Sequence, residues 1–292
     1  MRLRSLLFVP GDRPERMEKA LGFDADALII DLEDAVHLHA KAAAREMTAA
    51  FLRSAERRCK IFVRVNPLDS GLIDDDLAAV LDARPDALVL PKALGALSVK
   101  ALAARAPGIP ILPIATETPA AIFQLGSYRA VKHLTLGLTW GAEDLPAAIG
   151  ASSAREEDGR FTPPYEMARS LTLFGAHAAG VDAIETVYPA FSDLEGLTNY
   201  ARRARRDGFT GMMAIHPTQI CVINEAFAPT ADELAKAQRI IDAFAANPGQ
   251  AVLDLDGRMI DAPHLRQARR LLELAEVSPS SHQRPQCEAS SQ

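Results

Sequence analysis

Short apolar runs alternate with longer amphipathic segments along almost the whole chain. The runs are SLLFV (5–9), ALIIDL (27–32), IFVRV (61–65), ALVLP (87–91), PILPIAT (110–116), HLTLGL (133–138), DAIETVY (182–188) and GMMAIHP (211–217). Between them lie stretches with helical spacing, such as RPERMEKALG, DAVHLHAKAAAREMTAAFL, DDDLAAVLDAR and EMARSLTLFGAHAAG. Apolar runs too short for helices, separated by 3.6-period stretches, predict βα units around a parallel sheet. Eight such units in about 220 residues predict an α/β fold, a (β/α)₈ TIM barrel. A doubly wound sheet would share the alternation, but no G-x-G-x-x-G follows any run.

Past the eighth run, NEAFAPTADELAKAQRIIDAFAANPG predicts a capped helix. QAVLDLDGRMIDAPHLRQARRLLELAE then predicts two short extended runs about Asp256-Gly257 and a helix from Pro263. The expected division is a catalytic barrel over 1–225, a C-terminal helical extension over 226–275, and a tail over 276–292. That tail is polar and rich in Ser, Pro and Gln, and is expected to be disordered.

Composition narrows the class without changing the fold. A chain of 292 residues with 48% hydrophobic and 24% charged residues has the makeup of an ordinary soluble enzyme. Its formal net charge of −6 argues against general attraction to nucleic acid or anionic membrane. The basic cluster ARRARRD (201–207) reads as a solvated helix face. Cys59, Cys221 and Cys287 have no CxxC spacing, which argues against a zinc site. Pro10-Gly11 cuts the N-terminal apolar run, so it reads as strand and turn rather than signal peptide. No stretch approaches the ~18 apolar residues of a membrane span, and a cytoplasmic protein is expected.

In a barrel of this kind chemistry gathers at the carboxyl ends of the strands. Those ends here carry Asp31, Glu33 and Asp34; Arg64 and Asn66; Lys92; Glu117; Glu143 and Asp144; and Ile215-His216. Carboxylates from neighbouring strands, without cysteine, suit a hard cation, Mg²⁺ or Mn²⁺. Glu117 and one of Glu143 and Asp144 fit that need. The competing structural reading makes Glu143 and Asp144 first-turn acids of a helix, with Glu117 capping PAAIFQLG. Arg64, inside an apolar strand, belongs either to a salt bridge with Glu33 or Asp34 or to a site facing a substrate anion. His216 is equally readable as a core histidine or a site residue.

The motifs SLLFVPGDRPERMEKA, IIDLEDAV, VRVN, LPK, ET, WGAEDL, IHPTQI, INEAFAPT and DGRMIDAP stand in fixed order from about residue 3 to 275. In this the chain resembles the citrate lyase β-subunit-like proteins of the HpcH/HpaI aldolase superfamily, relatives of malyl-CoA and citramalyl-CoA lyases. The resemblance implies a Mg²⁺-dependent barrel acting on acyl-CoA thioesters, as a homotrimer or hexamer. It implies Glu117 and Asp144 as metal ligands, Arg64 as a substrate-binding and catalytic arginine, and Asp261 as the catalytic carboxylate of the extension. Phe8, Arg13 and Lys19 fall at coenzyme A-contacting positions, Ile215 and His216 line the same pocket, and Glu143 lies beside the substrate. The residues after Glu117, TPAAIF, depart from the usual small residue and glycine, and GASSAREEDGRFTPPYEMAR (150–169) resembles a variable active-site loop.

The implied reaction is reversible Claisen cleavage of a β-hydroxyacyl-CoA to acetyl-CoA and an α-keto acid. Three other readings stay open: a malyl-CoA-type thioesterase on the same site, a CoA-independent class II aldolase, and a β subunit of a multi-protein citrate lyase.

Overall fold

The eight apolar runs form one parallel sheet. Its strands are β1 (Ser5–Pro10), β2 (Ala27–Asp31), β3 (Lys60–Arg64), β4 (Ala87–Leu90), β5 (Ile111–Pro113), β6 (Gly137–Thr139), β7 (Asp182–Glu185) and β8 (Gly211–Ala214). The order is β5-β4-β3-β2-β1-β8-β7-β6. Parallel bridges Ile111↔Thr135 and Ile114↔Thr139 join the two outer strands and close the barrel. The computed structural model describes residues 2–276; the expected tail, apart from Glu276, lies outside them.

Period-two alternation divides the side chains into two layers. Leu6, Ala27, Ile29, Phe62, Ala87, Val89, Leu112, Ile114, Ile184 and Met213 fill the barrel interior. Leu7, Val9, Leu28, Ile30, Ile61, Val63, Leu88 and Leu90 pack outward under the helices. Strands buried on both faces read as unbroken apolar runs, which explains their legibility. In register Asp31 pairs with Arg64, and both continue the inward phase of Ile29 and Phe62 to the carboxyl ends.

The surrounding helices are α1 (Pro14–Ala20), α2 (Lys41–Ser54), α3 (Ile73–Val80), α4 (Ala96–Arg105), α5 (Pro119–Ile122), α6 (Asp144–Ile149), α7 (Pro163–Ala179), α8 (Leu194–Asp207) and α9 (Thr218–Ala226). Three expectations shift. β6 occupies Gly137–Thr139, with residues 133–136 as its approach. The segment before α2 turns through a 3₁₀ stretch, Leu38–Ala40, rather than extending the helix. The loop after β6 ends at Thr162, because Pro163 opens α7, where its fixed φ suits the first turn. The basic cluster lies on α8, where Arg203 meets Glu166 at 2.6 Å.

A buried ion pair fixes α7 and α8 beneath the mouth. Arg169 donates to Glu185 at 2.7 Å and to Asp207 at 2.8 Å. Trp140, immediately after β6, donates its indole N–H to Glu185.

The barrel falls in one compact unit, Leu3–Phe227, and a second unit begins at Ala228. In the second, Thr230 and Glu233 form a capping box at the start of α10 (Ala231–Ala246). β9 (Val252–Leu255) and β10 (Arg258–Asp261) follow as a hairpin, then α11 (Ala262–Glu276). Asp256 and Gly257 have φ of 58° and 72°, as a two-residue hairpin turn requires. Ala237, Ile240, Ile260 and Ala268 form this unit's small core. Among the described residues no helix is long and apolar enough to cross a membrane.

Candidate active site

The tips of β2, β3, β4, β5 and β6 bring together a chain of charges. Arg64 donates through Nε and Nη2 to the two oxygens of Asp31, each at 2.7 Å. Backbone N–H groups of Glu33 and Ala35 also donate to Asp31, at 2.8 and 3.0 Å, fixing that carboxylate. The remaining guanidinium nitrogen, Nη1, lies 3.0 Å from Glu33 and 3.9 Å from Asp34. The salt-bridge reading of Arg64 is therefore realised, with Asp31 as a bidentate partner the sequence did not single out. Phe8 supports it from below, its ring centroid 4.9 Å from the guanidinium carbon.

Glu33 is buried, and its Oε2, though beside Arg64, accepts no hydrogen bond. Its Oε1 accepts from Lys92 Nζ at 2.7 Å. Burial raises the Glu33 pKa despite the opposing pull of Arg64 and Lys92. Two backbone contacts hold its strand tip: Lys41 Nζ donates to the Leu32 and Glu33 carbonyls at 2.7 and 2.9 Å.

Glu117 is the most perturbed carboxyl. It is only 3% exposed, and burial first, then the charges of Asp144 and Glu33, push its pKa up to about 8. The Lys92 backbone N–H donates to its Oε2. Glu117 does not cap α5; Thr118 does, accepting from Ala121 N–H at 3.3 Å. Glu117 owes its place partly to Gly141, where a Cβ would stand 2.6 Å from Glu117 Cγ. Gly141 has no positive φ, so glycine is needed there for space, not for backbone freedom.

Asp144 is the first residue of α6 and stands 3.6 Å from Lys92 Nζ. Of the two acids expected in the first turn, Asp144 lies there, while Glu143 precedes it at the cap position, exposed and without a side-chain capping bond. Among the described residues no group of three or more His, Cys, Asp or Glu is spaced to hold a metal. The donor set is two carboxylates from adjacent strand ends, with a third close by. A buried acid crowded by like charges, packed against Gly141 where a side chain would displace it, fits a hard cation that draws its other ligands from water and substrate.

Among the described residues, the other expected barrel residues make no contact of this kind with the cluster. Arg13 caps α1, exposed and 3.6 Å from Asp12; Lys19 lies exposed in the last turn of the same helix. Ile215 is exposed just past β8, and its N–H donates to Gln219 at 2.9 Å. His216 is not a core histidine: its ring stacks on exposed Phe191 at 5.0 Å, with Nδ1 2.8 Å from Thr218 Oγ1. Asp261 ends β10 in the second unit, where a 2.6 Å contact with His264 holds its carboxyl below the usual range.

A profile of the HpcH/HpaI aldolase/citrate lyase family matches residues 4–217, and one described as a C-C bond lyase of the TIM-barrel fold matches residues 165–278. A (3S)-malyl-CoA thioesterase of Cereibacter sphaeroides is 36% identical over 94% of this chain and 95% of its own. The citrate lyase subunit beta of Escherichia coli K12 is 33% identical, with 94% of each chain covered. A crystal structure of the CitE protein of Mycobacterium tuberculosis, in complex with magnesium, acetoacetate and coenzyme A, superposes with a TM-score of 0.83. It is 34% identical and covers 94% of this chain and 98% of that one. The chain belongs to the HpcH/HpaI aldolase/citrate lyase family, as a citrate lyase β-subunit-like carbon–carbon lyase on a TIM barrel.

Proposed function

We propose that the protein is a Mg²⁺-dependent lyase that cleaves a β-hydroxyacyl-CoA of the malyl-CoA or citramalyl-CoA type to acetyl-CoA and an α-keto acid. The observation that carries this reading is Glu117: a buried carboxyl facing the charges of Asp144 and Glu33, short of a cation of its own. Relatives point the same way, since the M. tuberculosis protein was crystallised with magnesium and coenzyme A and the C. sphaeroides protein is named for malyl-CoA.

Glu117 and Asp144 would hold the ion. When bound, it supplies Lewis-acid polarisation of substrate oxygens and orientation of the keto acid being formed.

As the carbon–carbon bond breaks, its electron pair moves toward the thioester oxygen. Arg64 is suited to stabilise that charge, because Asp31 fixes its plane through Nε and Nη2, and Nη1, 3.0 Å from Glu33, is the nitrogen that Asp31 leaves unbound. The substrate hydroxyl passes its proton to the Asp261 carboxylate, which His264 keeps ionised. The carboxylic acid so formed is the proposed donor of that same proton to the enolate carbon, a far stronger base. In the synthetic direction the same carboxylate, already ionised, removes it. Phe8, Arg13, Lys19, Ile215 and His216 are the proposed contacts to coenzyme A, and Glu143 to the acyl group.

An ionised Asp261 also suits activation of water, and the C. sphaeroides relatives are named as thioesterases. A single assay separates the two. Malyl-CoA, citramalyl-CoA and β-methylmalyl-CoA are each incubated with Mg²⁺ or EDTA, and keto acid and free thiol are followed. The lyase reading expects keto acid without free thiol, abolished by EDTA. Free thiol without keto acid would establish hydrolysis instead, and Mg²⁺-independent cleavage would reject the metal assignment.

A further inference from the structure

Lys92 has a backbone few lysines adopt. Its φ of 50° places it in the left-handed region, unfavourable for a residue with a Cβ. In that conformation one residue serves three acids from its two ends. Its N–H donates to Glu117, while its ammonium lies 2.7 Å from Glu33 and 3.6 Å from Asp144.

Glu33 has a second cation nearby, Arg64 at 3.0 Å, which it shares with Asp31. Among the described residues, no other Lys or Arg forms an ion pair with Asp144, and Glu117 pairs with none. With its ammonium between Glu33 and Asp144 and its N–H on Glu117, Lys92 sets a positive charge at the edge of the proposed ion site.

We infer that Lys92 is the resident counter-cation of the ion site, a positioning residue that holds Glu117 and Asp144 in place while the ion is absent and weakens the ion's binding by repulsion. This rests on the reading of Glu117 and Asp144 as the metal ligands. Its consequence is a loosely held ion, whose binding tightens when an anionic substrate adds its own charge to the site.

Calorimetric titration of the full-length protein with MgCl₂ at pH 8.5 tests this with K92M and K92R. Both variants face the same left-handed backbone, so strain cancels between them and charge remains the difference. A unit charge roughly 4 Å away, even at an effective dielectric constant of about 20, is worth at least about tenfold in affinity. K92M is expected to bind Mg²⁺ about tenfold tighter than the unmodified protein, and K92R within about threefold of it. Should K92M fail to fold, K92G, which fits the positive φ and also lacks the charge, replaces it with the same expectation. Equal or weaker binding by the charge-free variant would overturn the counter-cation role and leave the proposed function standing. Absence of Mg²⁺ binding by the unmodified protein would overturn the metal-ligand reading itself, and this inference with it.

Discussion

At the scale of single residues, Glu117 makes the sharpest demand. A carboxyl raised from 4.5 to about 8 binds more protons folded than unfolded across that window, so the ion-free protein loses stability as pH rises through it. A divalent ion takes the proton's place, and its stabilising effect therefore grows with pH and levels off above about 8. Melting curves with and without MgCl₂ at pH 6 and pH 9 should show a larger Mg²⁺-induced rise at pH 9. Glu117→Gln should abolish that rise and flatten the pH dependence of the ion-free protein. An equal rise at both pH values, or one that survives the substitution, would contradict the assignment. Much of this was readable beforehand: Glu117, Asp144 and Arg64 stand at strand ends, where a barrel gathers its chemistry. Lys92 was visible only as the residue closing LPK, because its reach to two acids depends on a left-handed backbone that no spacing reveals. Asp31 stands in the sequence among the strand-end acids, but its pairing with Arg64 shows only in the register that sets the two opposite.

At the scale of elements, apolar runs found the strands because each is buried on both faces. They overran at β5, β6, β7 and β8. The run 133–138 places too much in β6, which pairs with β5 only through isolated bridges where the barrel closes. In DAIETVY, Glu185 sits in strand like a mouth residue, but it points outward to Arg169 on α7. Sequence position alone cannot separate a structural carboxylate from a catalytic one when both end strands. Gly141 shows the reverse: a glycine between strand and helix looks like a turn, and serves instead as clearance for Glu117. Gly141→Ala leaves the backbone unstrained but drives a methyl into that side chain. Overpacking of this kind typically costs about 1–3 kcal/mol. Mg²⁺ affinity should fall by about tenfold or more while the fold persists, as read by calorimetry and circular dichroism. Unchanged affinity would mean that Glu117 does not need its present position to bind the ion.

At the scale of the whole molecule, the chain divides its proposed chemistry. The barrel unit carries the ion ligands and Arg64; the unit beginning at Ala228 carries Asp261, on a hairpin that DLDGRMID made plain through its Asp-Gly turn. Asp261→Asn should therefore leave Mg²⁺ affinity intact and reduce turnover by about 10²–10⁴-fold, the usual worth of general acid–base help. Loss of Mg²⁺ binding in that variant, or near-normal turnover, would break the division. What the family shares is a barrel and its lyase chemistry; which acyl group this chain accepts depends on pocket contacts worth only about 1–3 kcal/mol for one methyl.

Crystals soaked in MnCl₂ and measured near the manganese absorption edge test most directly the proposal that Glu117 and Asp144 grip one divalent ion. A single strong anomalous peak is expected within bonding distance of a carboxylate oxygen from each residue. A peak held by other side chains, or none in protein whose activity still requires the metal, would contradict it.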